Sequence, residues 1–321
     1  MLTTDVGIAE LLITARGAFV LTDEIEEGRL RTEELPQGLE IIACRWTEKP
    51  AAWDRVVREL SGGGAVASDR PAPGEVSLPQ ELIAARSSLQ PEELARYAAL
   101  GKAAAEAMTD VLAAAKPEWT EYQLAGAGAE ALWGRGIEPA LTLAAGERRL
   151  PIYRHPTPSA EKLRGRAMLV FCGRRHGLFA NLTRFVEFRA GRGEPGARTE
   201  LDHEVAEVEA DALDALHEGV ELGAIYDVLV RAYARVGQAG QERAHHQGGT
   251  CGYGSRDVIA VPGSKVRIAR NNAVAFNPSL PGAKIEDTFV VAPEGLQLLT
   301  VDPRWPSREV RGRRRPDVLR R

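Results

Sequence analysis

Cysteine is scarce in this 321-residue chain, which has only Cys44, Cys172 and Cys251, an odd number with no close pairing. That scarcity excludes a disulfide-stapled scaffold and a Cys-rich zinc site, and it fits a reducing compartment. Long apolar runs are missing as well, and none approaches the roughly 20 residues that a membrane span requires. Acidic and basic residues nearly cancel, 45 against 41, for a net charge of −4. No excess of positive charge therefore marks nucleic acid as the main partner. Glu10 and Arg16 interrupt the start of the chain, so it does not read as a secretory leader. The expectation is a cytoplasmic protein without membrane contact.

Several chemical signatures are absent too. The glycines at 62–64 lack the G-x-G-x-x-G spacing and the strand-to-helix context of a phosphate cradle. In DHEVAE no histidine follows His203 at i+4, so the H-E-x-x-H zinc motif is missing. Ser255 stands in G-S-R-D and not in a G-x-S-x-G elbow. Cys251, in a small and Gly-rich setting beside two histidines, reads as a buried inert thiol.

What is present is an ordinary globular composition, 44% hydrophobic and 27% charged, in a chain long enough for one large or two modest domains. Up to about residue 64 the segments AELLITA, AFVLT and LEIIACRW alternate as strands do, and TEKPAAWDRVVREL reads as a helix with Thr47 as N-cap and Pro50 in its first turn. A Gly-, Pro- and Ser-rich stretch then ends a small domain near residue 80.

Beyond it, SLQPEELARYAALGKAAAEAMTDVLAAA carries Leu94, Tyr97, Leu100, Met108, Val111 and Leu112 at helical spacing. WTEYQLAGAGAEALWGRG predicts a second helix with a Thr120 to Gln123 capping box. EPALTLAAGE, MLVFCG and GLFANLTRFVEF read as strands, the last two as a hairpin. A second helical pair spans about 200–240, followed by the strand-like KVRIA, NAVAFNP and IEDTFVVAPEGLQLLT. The end, REVRGRRRPDVLRR, carries Arg308, Arg311, Arg313, Arg314, Arg315, Arg320 and Arg321. Such a like-charge block reads as a solvated, partly disordered end with at most a weak affinity for polyanions.

The order of elements and several motifs resemble the pita-bread family of aminopeptidase P, prolidase, methionine aminopeptidase and creatinase. RHP at 154–156 resembles the family's first active-site histidine, NLTRFV its D-x-T-R-T signature, and AHHQGGTCGYGSRD its G-H-x-x-G-x-x-x-H-E region. VAFNPSLPG resembles its V-E-P-G strand, and KIEDTFVVAPEGLQLLT, the most specific match, its closing R-I-E-D motif. The resemblance covers essentially the whole chain. It implies an α/β (α+β) protein: a shortened small α/β domain over 1–80, a pita-bread domain over 81–305 with a curved, mostly antiparallel sheet covered by helices, and a basic tail over 306–321.

In the family's peptidases, two aspartates, one histidine and two glutamates hold a pair of divalent metals, and their bridging hydroxide attacks the scissile carbonyl. Placed on that pattern, the first Asp position falls on Phe171, or on Cys172 if the hairpin slips by one, and the second falls on Asn181. The His position falls near Gly249, the first Glu on Asn277, and only the last Glu survives, as Glu286. One carboxylate cannot hold two metals, so the expectation is no metal and no other cofactor.

Creatinase hydrolyses a C–N bond without metal, and the resemblance makes His155 the acid–base residue, assisted by Glu286, His245 and His246. It places Arg184, Arg256, Asp257, Asn181 and Asn277 among the substrate-binding residues, with the arginines suited to a carboxylate. His176, His203 and His217 read as surface residues. The implied function is metal-independent hydrolysis of a small amide, amidine or proline-peptide substrate; the alternatives are a pseudo-peptidase that binds a peptide, a metabolite or a protein partner, and an ordinary two-metal peptidase. The expected partners are a small-molecule or short-peptide ligand and a second copy of the chain, because relatives use the small domain to complete a neighbour's cleft.

Overall fold

A computed structural model of the protein describes residues 7–188 and 195–321. The chain divides into two compact units, Met1–Ala85 and Arg86–Arg321. In the first, strand Glu10–Thr14 runs antiparallel to Gly17–Asp23, which lies parallel to Glu40–Cys44. Phe19, Val20 and Leu21 are buried at its centre. The helix that follows is Lys49–Leu60, with Pro50 in its first turn as expected. Its N-cap, however, is Glu48. Thr47 lies inside a 3-10 turn, Trp46–Glu48, and so lacks the extended backbone from which a side chain caps.

In the second unit, helix Pro91–Ala114 opens with a capping box between Gln90 and Glu93, and Glu121–Trp133 with the expected one between Thr120 and Gln123. Both cover one face of a four-stranded sheet in the order Leu319–Arg320, Leu178–Glu187, Arg166–Arg175, Glu138–Gly146. The central hairpin turns at His176 and Gly177, both with positive φ, as a tight two-residue turn requires.

Because side chains alternate across a strand, Ala167, Leu169 and Phe171 enter the core beneath the helices, whereas Met168 and Val170 face the other way with Phe185 and Val318. Cys172 shares the second face, directly opposite Asn181. A second, five-stranded antiparallel sheet runs Val258–Ile259, Gly248–Cys251, Ala273–Phe276, Asp287–Ala292, Gly295–Leu298. It packs against helices Pro195–Asp214 and Leu222–Arg235 through Val208, Leu213, Ile225, Leu229, Val274 and Phe289. The sheets meet at the Thr183–Glu286 bridge and where Thr288 bonds both the N–H and the C=O of Asn181. KVRIA is not a strand; only Arg267 forms an isolated bridge, to Glu221.

The basic end departs most from expectation. Ser307–Val310 and Arg313–Pro316 form a hairpin, and Leu319–Arg320 adds a parallel strand beside Val186. Helix Pro195–Asp214 supplies the compensating charge. Arg311 binds Glu207, Asp211 and Asp214, while Arg315, fully buried, binds Glu209 on both oxygens and Asp287. Like-charge repulsion does not unfold the segment because Arg311, Arg313, Arg315 and Arg320 face carboxylates, while Arg308, Arg314 and Arg321 bond carbonyls or a hydroxyl.

Candidate active site

The concave face where the sheets meet carries the polar residues. His155 sits in a loop between Arg154 and the buried Pro156, while His245 and His246 follow the 3-10 turn Gln241–Ala244. Their rings converge, with centroids 5.2 Å apart for His155 and His245, 5.4 Å for His155 and His246, and 5.8 Å for the remaining pair. His245 Nε2 donates to the Asn277 carbonyl at 3.0 Å, and its Nδ1 accepts from Gln247, whose amide oxygen in turn accepts from Tyr233. His246 Nδ1 accepts from the Gly248 N–H, leaving a protonated Nε2 free to donate. His155 has no hydrogen-bond partner among the described residues.

Burial and neighbouring cations disfavour the charged form of all three imidazoles. Burial, then the Lys284 charge, pushes His245 down to about 3. Burial, then Arg256, pushes His246 down to about 4. Partial desolvation followed by Lys284 lowers His155 from its ordinary value. These cations belong to a buried cluster around Glu286. Arg256 Nη2 bonds one carboxylate oxygen, while Lys284 Nζ at 3.2 Å and Thr183 Oγ1 at 2.9 Å hold the other. Lys284 and Arg256 outweigh the burial penalty and draw the Glu286 carboxyl down to about 2. Cys172 feels the same cluster, but burial pushes its thiol up to about 12; burial pushes Cys251 up to about 11. Neither thiol is a nucleophile near neutrality.

The structure thus brings His155, His245, His246, Glu286 and Arg256 together, with Asn181 and Asn277 in the surrounding wall. Both asparagines are buried, and each has an amide oxygen without a hydrogen-bond partner. Two of the expected substrate-binding residues lie elsewhere. Arg184 spends its donors on Asp287 at 2.7 Å and on the carbonyls of Thr183, Glu286 and Thr300, which makes it a brace between the sheets. Asp257 turns into the Gly252–Gly254 loop, where it accepts from the Gly254 N–H and faces Arg86. His176, His203 and His217 are exposed, as expected of surface residues.

Phe171 lies in the hydrophobic core against Gly128, so the cleft-facing residue of its strand is Cys172, the one-residue slip resolved by strand parity. Lys284 was missed, although it stands two residues before Glu286, the spacing that puts two strand side chains on one face. Gln247 and Tyr233 carried no signal of their own, because only the fold brings the helix to the loop.

The sequence profile of metallopeptidase family M24 matches residues 95–293. The chain belongs to metallopeptidase family M24. Its fold is that of the family's solved structures. Dipeptidase PepE from Mycobacterium ulcerans superposes with a TM-score of 0.75 at 21% identity, over 97% of this chain and 86% of that one. An Xaa-Pro dipeptidase from Bacillus anthracis gives 0.76 at 14%, over 99% and 90%. An X-Pro aminopeptidase from Thermotoga maritima gives 0.73 at 16%, over 97% and 90%. No curated protein matches the chain. The expected pita-bread fold is thereby established. No helix among the described residues is long and apolar enough to cross a membrane.

An M24 fold implies a divalent metal centre, and among the described residues no group of three or more His, Cys, Asp or Glu side chains is arranged to hold an ion. Cys172, Asn181, Gly249 and Asn277 offer no carboxylate or imidazole, and both oxygens of Glu286 are taken by cations and a hydroxyl. At Gly249 a Cβ would lie 2.0 Å from the Val258 carbonyl oxygen, so only glycine fits this stretch of strand behind the two histidines.

Proposed function

We propose that this M24 member hydrolyses a small C–N bonded substrate, an amide, amidine or proline peptide, without metal, using His155 as acid and base. The observation that carries the reading is a neutral, unbonded imidazole beside two protein cations. Neutral His155 can take the proton of a water as it attacks the C–N carbon, and the resulting imidazolium can return that proton to the departing nitrogen. Lys284 and Arg256, fixed by Glu286, supply positive potential near the oxyanion that forms, in the role that preorganised charges play at developing negative charge. His245 is positioned by Gln247 and Asn277, while His246 presents a donor.

The test is turnover of creatine, Xaa-Pro dipeptides and acylated diamines by purified protein in EDTA. The expected result is turnover that survives chelation and disappears in His155→Ala. Equal turnover by that variant sinks the assignment of His155, and two equivalents of manganese, cobalt or zinc per chain sink the metal-free reading.

A second reading, a pseudo-peptidase that binds a ligand without converting it, is favoured by the complete engagement of Glu286, which leaves no free carboxylate to activate water. We further propose a homodimer acting in the cytoplasm, in keeping with three free cysteines; a weak polyanion role falls to Arg314, which among the described residues is bonded only to the Ser307 hydroxyl, because Arg311, Arg313, Arg315 and Arg320 already face carboxylates.

A further inference from the structure

Beside the imidazoles lies an open cavity of about 400 Å³, within the range of small-ligand sites. Its two walls differ in character. The outer lip is apolar and solvent-facing: Pro151, Ile152 at 58% exposure and Tyr153 at 49%. Tyr153 is not a loose side chain, since the Arg149 guanidinium stacks 5.1 Å from its ring centre and Arg149 is itself tied to the buried Glu121. The inner wall is Arg154, His155 and His245.

Arg154 is half-buried, and its one hydrogen bond among the described residues is to the neutral Gln241 amide at 2.6 Å; no carboxylate lines the cavity with it. Deeper in, Lys284 and Arg256 share the single charge of Glu286. Among the residues that line the cavity Arg154 is the one with a permanent charge, so the wall is cationic. A half-buried guanidinium without an anionic partner is an unusual expense in a folded protein, because it gives up hydration with no compensating charge.

We infer that the cavity takes a small organic carboxylate with an aliphatic or aromatic substituent, its anion held by Arg154 and its apolar part laid against Ile152 and Tyr153. This deepens the hydrolase reading and rests on it for the reaction: with the carboxylate on Arg154, an N-acyl amino acid or dipeptide presents its C–N bond toward His155. Arg154 then sets specificity and does not touch the bond that breaks. A cation is excluded by the charge of the wall, and a neutral isostere forfeits the bidentate contact.

The experiment is calorimetric titration of the full chain at pH 7.5 with 4-methylpentanoate, 4-methylpentanamide and 4-methylpentylamine, three near-isosteric probes; only the amide has an acyl C–N bond that the enzyme could hydrolyse, so its recovery intact after the titration is checked by chromatography. The carboxylate is expected to bind at least tenfold more tightly than the amide, and the amine not at all. Arg154→Met is expected to lower carboxylate affinity at least tenfold and erase its advantage over the amide; Arg154→Gln serves if Met perturbs folding. Ile152→Ser is expected to weaken carboxylate and amide by the same factor. Equal binding of amide and carboxylate, an unaffected Arg154→Met, or no binding by any probe overturns the inference. Binding without turnover by His155-competent protein leaves it standing and removes the hydrolase reading instead.

Discussion

Glu286 shows how a single carboxylate can be retained while its surroundings change purpose. Held by Lys284, Arg256 and Thr183, it is the anion of an internal ion cluster. Lys284→Met would leave the buried charge one partner short, and losing one member of a buried ion pair costs about 3–5 kcal/mol. The loss is expected in urea unfolding at pH 7, together with a rise in the Glu286 pKa readable by carboxyl NMR; a loss below about 1 kcal/mol would show that Lys284 does not stabilise the carboxylate.

The imidazoles make a separate prediction about acid. His245 and His246 titrate near 3 and 4 when folded and near the ordinary 6.5 when unfolded, so the unfolded chain binds more protons in between. Their influence on stability is neutral above about 6.5, and stability falls as pH drops from there toward 4. Glu286, depressed to about 2, adds to the loss only below its unfolded value. His246→Gln is expected to flatten the slope of unfolding free energy between pH 6.5 and 4.5 while leaving the slope above pH 7 unchanged. An unaltered acid limb would mean that His246 is not desolvated as its packing implies.

At the scale of elements, the C-terminal hairpin is tied to the site strand by charge. Arg315 bridges Glu209 on helix Pro195–Asp214 and Asp287, the neighbour of Glu286, while Arg184 holds Asp287 from the opposite sheet. Arg315→Met strands Glu209 in an apolar interior and is expected to cost about 3–5 kcal/mol, whereas the Glu209→Leu/Arg315→Met pair recovers most of that, since apolar replacement of both partners is often neutral. The readout is a double-mutant cycle in denaturant; additivity would show that the pair does not interact.

This network was not legible in the sequence, because Glu209 and Arg315 are about a hundred residues apart and the arginine block looks solvated when its acidic helix is out of view. The helices were legible from local rules, as at the Thr120 capping box, where the signal spans four residues. The strand faces were half legible: alternation gave the period, but only the hairpin register fixed Cys172 rather than Phe171 toward the cleft.

For the whole molecule, motif order carried the pita-bread architecture through, since each motif sits at a sheet junction whose place in the chain the fold dictates. What motif order could not reveal is the company Glu286 keeps, since Arg256 and Lys284 meet it only after folding. The consequence is a stability that should ignore divalent metal. A centre that bound Mn²⁺ with a dissociation constant near 10 μM would gain about 2.7 kcal/mol at about 1 mM metal, by binding the folded state alone. In a domain of this size that corresponds to a rise of roughly 5–10 °C in the unfolding midpoint. With Glu286 occupied by Lys284 and Arg256, the expected change on adding Mn²⁺, Co²⁺ or Zn²⁺, or on removing metal with EDTA, is under about 1 °C by scanning calorimetry. A midpoint that climbs with Mn²⁺ and returns with EDTA would mean that the cluster yields its carboxylate to metal, and the protein would then have to be read as a two-metal peptidase.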